Sequence, residues 1–227
     1  MMTFFTAVGS YRIRTEDEHK VVYIQKLGKL YPISTLEFLI WAALLWEVLT
    51  YQELKTVFEE RTKGLPIEVQ GFDTLLDNLL ARKLIIRGLG YTGADAAYNM
   101  FSDAFVIPCE FSKGKRILRA ASLMLKGKLP LREFCRACQE VKLGASEMRV
   151  MDLVRQTPLS TAELIRCFDL GLRDVNTPEK LLRGLYPDED SDQAHIANEE
   201  ICSENVIAVL QAVSNLYLNR KVILEYT

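Results

Sequence analysis

Shifted by 110 positions, the sequence overlays itself without a gap, so that residues 37–58 fall on 147–168. Glu37 meets Glu147, Ile40 meets Val150, Trp41 meets Met151 and Leu44 meets Val154. Thr50 meets Ser160, Glu53-Leu54 meets Glu163-Leu164, and Phe58 meets Phe168. These are the positions that define a helix: a hydroxyl at the N-cap, a glutamate three residues on, and apolar side chains at helical spacing. Further along, Arg82-Lys83-Leu84-Ile85-Ile86 falls on Arg220-Lys221-Val222-Ile223-Leu224 at a shift of 138. In that register Phe72, Leu75 and Leu79 fall on Leu210, Val213 and Tyr217. The second copy then carries 28 extra residues, within about 169–203. Two consecutive helices repeated with their caps, and a repeated helix-to-strand junction, lead to two related folding units.

The local signals supply the elements of each unit. Residues 11–25 alternate Tyr11, Ile13 and then Val21 to Ile24 about a polar turn, the pattern of a β-hairpin. Ser34-Thr35-Leu36-Glu37 is a capping box that opens a helix expected over Leu36 to Val48. That helix is apolar almost all round, which suits the centre of a core. Thr50-Tyr51-Gln52-Glu53 caps a second helix, ended by Gly64. Phe72, Leu75, Leu76 and Leu79 mark a third, ended at Lys83, and Leu84-Ile85-Ile86 reads as a strand. Gly88, Gly90 and Gly93 suit the tip of a hairpin beyond it. Residues 94–107 are expected to hold a short helix. Residues 113–126 and 131–142 are expected to form two more, separated by Gly127 and Pro130.

The expected architecture is therefore mainly α with small β-hairpins (α+β), as two units joined by a helical linker. Residues 1–107 hold the hairpin and the first unit, 108–144 the linker, and 145–227 the second unit with its insertion. The 227 residues are enough for two modest cores. The longest early apolar run, Phe38 to Trp46, is nine residues, against the roughly 20 that span a membrane. Five cysteines and no secretory leader point to reduced thiols and a cytoplasmic location.

Net charge is −2, from 28 Lys and Arg against 30 Asp and Glu, which argues against a strongly basic nucleic-acid binder. The total conceals a segregation. Residues 113–142 contain nine basic and two acidic residues, and residues 169–204 contain ten acidic and three basic ones. The basic stretch could follow phosphates, pair with the acidic insertion in the same or another chain, or be a plain solvated face.

Three short helices followed by a strand, with caps and core spacing repeated, resemble the tandem winged-helix proteins of bacteria. The resemblance covers roughly residues 34–93 and 145–226. It implies DNA-binding transcription regulation by a dimer on double-stranded DNA, with each third helix in the major groove. The same fold also serves protein–protein adaptors and replication or chromosome-associated factors. On the first third helix Gln70, Thr74, Asn78, Arg82 and Lys83 would meet DNA; on the second, Asn215, Asn219 and Arg220 would. Lys113, Lys115, Arg116 and Arg119 of the linker would take phosphates. Asp73 and Asp77 oppose this, because a carboxylate in a groove faces phosphate repulsion. A protein partner is also expected at the acidic insertion. The second copy departs from the winged pattern, since one strand follows its third helix.

Enzymatic constellations are weak. Cys135 and Cys138 form a CxxC without a second CxxC, and small apolar residues on a buried helix face have the same spacing. Gly88, Gly90 and Gly93 do not make a phosphate-binding loop. The two histidines, His19 and His195, have no nucleophile in motif distance. No enzyme, cofactor or metal is expected.

Overall fold

Ser34 starts the first helix as the sequence predicts. Its hydroxyl accepts from the Glu37 N–H (3.2 Å), and the Glu37 carboxylate accepts from the Ser34 N–H (2.8 Å). The computed structural model describes residues 1–16, 19–64, 71–109, 142–185 and 203–227. Within them, helix α1 spans Thr35–Leu44, α2 Tyr51–Thr62, α3 Phe72–Ala81 and α4 Gly93–Phe101. Helix α5 spans Ala145–Gln156, α6 Thr161–Asp169, α7 Pro178–Leu185 and α8 Ser203–Leu218. Helix α1 is shorter than expected, because Leu45 leaves the helix with an extended backbone and Trp46 follows with a left-handed one (φ 61°). The predicted linker helices lie outside the described residues, as do residues 186–202 of the acidic insertion.

Nine strands form three small antiparallel sheets among the described residues. Strands β1 (Met2–Ala7), β5 (Leu49–Thr50) and β6 (Ile85–Gly90) make the first, with β1 in the middle. Strands β2 (Ser10–Glu16), β3 (His19–Lys26) and β4 (Lys29–Pro32) make the second. Its β2–β3 pair is the hairpin expected from the alternation. Strands β7 (Phe105–Pro108), β8 (Leu159–Ser160) and β9 (Val222–Glu225) make the third, with β7 in the middle.

The first and third sheets share one plan. Phe4 faces Thr50 on one side and Gly88 on the other; Phe105 faces Ser160 on one side and Glu225 on the other. The helices follow suit. Ile40, Trp41, Ala43 and Leu44 are buried in α1, and Val150, Met151, Leu153 and Val154 in α5. Leu54 and Phe58 are buried in α2, as Leu164 and Phe168 are in α6.

At the third helix the register differs from the expected one by a single residue. The backbone at both Lys83 (φ 52°) and Arg220 (φ 59°) is left-handed. The Leu84 N–H donates to the Leu79 carbonyl, and the Lys221 N–H to the Leu216 carbonyl. Both are the same helix-ending motif. Lys83 therefore corresponds to Arg220, a shift of 137, and the second copy carries 27 extra residues. In this register Phe72, Leu75, Leu76 and Leu79 match Val209, Ala212, Val213 and Leu216, all buried. Tyr217 then corresponds to Leu80 and not to Leu79, and it remains buried in the second core.

The hairpin expected after α3 is replaced by something else. Strand β6 takes β1, from the far end of the first unit, as its neighbour, and then runs into α4. Thr92 caps that helix, accepting from the Asp95 N–H (3.1 Å). Gly88 and Gly90 are strand residues under α4. A Cβ on Gly88 would sit 2.0 Å from the Ala96 carbonyl oxygen, and one on Gly90 2.4 Å from the Ala96 nitrogen. These glycines serve the close approach of a helix, not a turn. Gly93 is the first residue of α4.

Two cores result. One gathers α1, α2, α3 and β3 around Trp41, Leu54, Leu75 and Leu79. The other gathers α5, α6 and α8 around Val150, Leu164, Val213 and Leu216. Met100 and Phe101 of α4 and Val106 of β7 belong to this second core, together with Val8 and Ile86.

Candidate functional site

The third helices were expected to carry function through their exposed faces. On α3, Asp73, Thr74, Asp77 and Asn78 are exposed. Asp73 accepts a hydrogen bond from the Tyr51 hydroxyl (2.6 Å), which ties the helix face to α2. On α8 Asn215 is exposed, as is Asn219 just past its end, and the Asn215 amide donates to Glu147 of α5 (2.9 Å). Gln70, Lys113, Lys115, Arg116 and Arg119 lie outside the described residues. So do Cys135, Cys138, Cys202 and His195.

The basic residues that end the two helices go to partners within the chain. Arg82 ion-pairs with Glu37 (3.3 Å) and donates to the Pro32 carbonyl. Lys83 donates to the Thr227 carbonyl (2.7 Å) and lies 5.3 Å from the Tyr226 ring centre. The Arg220 guanidinium lies 5.4 Å from the Trp46 ring centre. Each contact is between a third helix and a segment distant in sequence.

The last two contacts belong to a joint between the halves. Its centre is Tyr217, buried, whose hydroxyl oxygen accepts from the Thr6 hydroxyl (2.9 Å) and the Trp46 N–H (2.9 Å). The phenol in turn donates to the Leu44 carbonyl (3.1 Å). Burial pushes its pKa up to about 12. Around it the Trp46 indole donates to the Val222 carbonyl (3.2 Å), the Gly9 N–H to the Leu224 carbonyl (2.7 Å) and the Leu27 N–H to Glu225 (2.8 Å). Buried polar groups satisfied on all sides fix one arrangement of the parts that supply them. The left-handed backbone at Trp46 is what turns its N–H and indole toward α8 and β9.

A cavity of about 360 Å³ opens beside this joint, lined by Lys83, Ser102, Asp103, Ser160, Glu163 and Tyr226. Ser160 and Glu163 are committed there to capping α6: the Ser160 N–H donates to the carboxylate (2.7 Å), and the Glu163 N–H to the hydroxyl (3.2 Å). Of the thiols, Cys109 and Cys167 both have pKa values raised to about 11, first of all by burial. That shift is opposite to the one that activates a cysteine nucleophile. Among the described residues no three His, Cys, Asp or Glu side chains cluster as metal ligands. No described helix is long and apolar enough to cross a membrane.

The sequence reading missed Thr6, Trp46 and Tyr217 as a group. The available signal was weak: Tyr217 follows the apolar set of α8 by one position, where a phenol can reach past the core. No protein-family model, no curated protein and no solved structure matches this chain.

Proposed function

We propose that the chain is a non-enzymatic adaptor that docks other proteins, built from two winged-helix-like units of common origin. One observation carries this reading: Arg82, Lys83 and Arg220 are engaged within the chain. A winged helix that reads DNA directs the third helix and a hairpin wing at the duplex. Here the ends of both third helices face other parts of the same chain, and the strand after α3 leads into α4. Asp73 and Asp77 add negative charge to the exposed face of α3. Duplication is supported by the shared strand registers and by the paired left-handed residues Lys83 and Arg220.

A second reading, a cytoplasmic dimeric DNA-binding regulator, is favoured by the exposed Thr74, Asn78 and Asn219 and by the excess of basic residues over 113–142. Fluorescence anisotropy with labelled random duplex DNA, from low to high salt, separates the two. The adaptor gives no saturable binding even at low salt. Micromolar binding that weakens steeply with salt sinks the adaptor reading and supports the regulator.

A further inference from the structure

Strand β2 has six consecutive exposed residues, Tyr11 to Glu16. Among the described residues it pairs with β3 alone, and the register runs unbroken from Ser10 opposite Gln25 to Glu16 opposite His19. It contains no proline and no bulge, two of the devices that close a sheet edge to new strands, and its charges are Arg12, Arg14 and Glu16. Its other edge thus offers a row of backbone donors and acceptors.

The two faces of β2 differ in chemistry. Toward α1, the Tyr11 ring lies 5.7 Å from Phe38 and 6.2 Å from Trp41. Ile13 on the same face is 56% exposed, so the apolar surface of the core continues outward past the edge. On the opposite face stand Arg12 and Arg14. Arg12 donates to Gln25 (2.5 Å), and the Arg14 guanidinium lies 5.9 Å from the Tyr23 ring centre. Glu16, the third residue of that face, accepts from the Tyr23 hydroxyl (2.7 Å). A guanidinium has five N–H donors, so neither arginine is exhausted by these contacts.

We propose that β2 accepts an added strand from a partner protein, an extended segment in which carboxylates alternate with apolar residues. Successive side chains of such a strand fall on opposite faces. Its apolar residues extend the Tyr11–Ile13 surface, and its carboxylates meet Arg12 and Arg14. A second copy of β2 is the wrong occupant. Antiparallel self-pairing centred on Ile13 sets Arg12 against Arg14, and centring on either arginine sets that residue against itself. Like charges directly opposite are destabilising. This proposal rests on the adaptor reading and names the partner's chemistry.

The test is a titration of the isotope-labelled full chain with a capped seven-residue peptide of alternating Glu and Val, followed by amide chemical shifts. Shift changes concentrated on residues 10–16 are expected. Replacing Arg12→Glu and Arg14→Glu together weakens that peptide at least about tenfold, and a Lys/Val peptide then binds the doubly reversed protein. The neutral pair Arg12→Gln and Arg14→Gln gives an intermediate loss, and the unperturbed remainder of the spectrum reports the fold. No change on β2 at about 1 mM peptide overturns the proposal, as does an affinity unaffected by charge reversal. A single-stranded oligonucleotide of equal charge that moves the same resonances as strongly also overturns it, in favour of a polyanion surface. The peptide titration reads β2, whereas duplex anisotropy reads the adaptor assignment, so either can fail without the other.

Discussion

The hydroxyls of Thr6 and Tyr217 lie 2.9 Å apart across 211 positions of sequence, both side chains buried. Thr6 belongs to the strand that centres the first sheet, and Tyr217 to the last turn of α8. Their hydrogen bond joins the first stretch of the chain to the last helix. The Trp46 N–H donates to the same phenol oxygen (2.9 Å), so one buried group links both halves.

Replacing Tyr217→Phe removes the phenol oxygen that accepts from the Trp46 N–H and the Thr6 hydroxyl, while Thr6 keeps its bond to the Glu47 carbonyl (2.8 Å). Loss of a buried hydrogen-bond acceptor costs about 1–3 kcal/mol. The expected loss is about 1–3 kcal/mol, read as a lower urea midpoint with an unchanged slope. The transition stays single, because both halves depend on the joint. A change of no more than about 0.5 kcal/mol would show that the joint is not held by the phenol.

Stability should also fall at alkaline pH through this group. The folded-state pKa of Tyr217 is raised from 10.0 to about 12 by burial. The folded form therefore holds its proton in a range where the unfolded chain has released it. That contribution is complete below pH about 10 and is lost as pH rises toward about 12, at roughly 1 kcal/mol per pH unit. Urea titrations of wild type and Tyr217→Phe at successive pH values isolate it. The difference between the two proteins shrinks above pH 10 if Tyr217 is the group responsible, and stays constant if it is not.

Gly88 predicts a backbone effect. Gly88→Ala places a methyl group 2.0 Å from the Ala96 carbonyl oxygen and 2.7 Å from the Met100 Cβ. Strand and helix have to separate, which costs about 1–3 kcal/mol or more. Differential scanning calorimetry should show a fall in Tm of several degrees. An unchanged Tm would mean that α4 does not sit on β6 as described.

The parts legible in the sequence were those determined by neighbours along the chain. Ser34 with Glu37, Thr50 with Glu53, and Ser160 with Glu163 are capping boxes because three residues separate hydroxyl and carboxylate, and all three form. The β2–β3 hairpin was legible from alternation. The sheets were not, because β1 and β6 pair between segments about 80 residues apart. No local pattern in Met2–Ala7 names Ile85–Gly90 as its neighbour. The glycines misled for a related reason: Gly88 and Gly90 answer to a helix that follows them, while their spacing looks like a turn. The third-helix register slipped by one because 137 and 138 both bring apolar residues onto a helical stripe. The left-handed backbone at Lys83 and Arg220 decides between them. The basic residues at the ends of α3 and α8 were legible as a group, but their partners Glu37, Trp46 and Thr227 come from elsewhere in the chain.

The central claim, that these basic residues hold the chain together and do not contact DNA, is tested most directly by replacing Arg82, Lys83 and Arg220 with alanine together. Thermal stability and duplex-DNA anisotropy are then measured on the same samples. The expected result is a stability loss of about 1–3 kcal/mol, from one ion pair, two cation–ring contacts and lost packing, with the anisotropy curve unchanged. Unchanged stability together with loss of saturable duplex binding would contradict it.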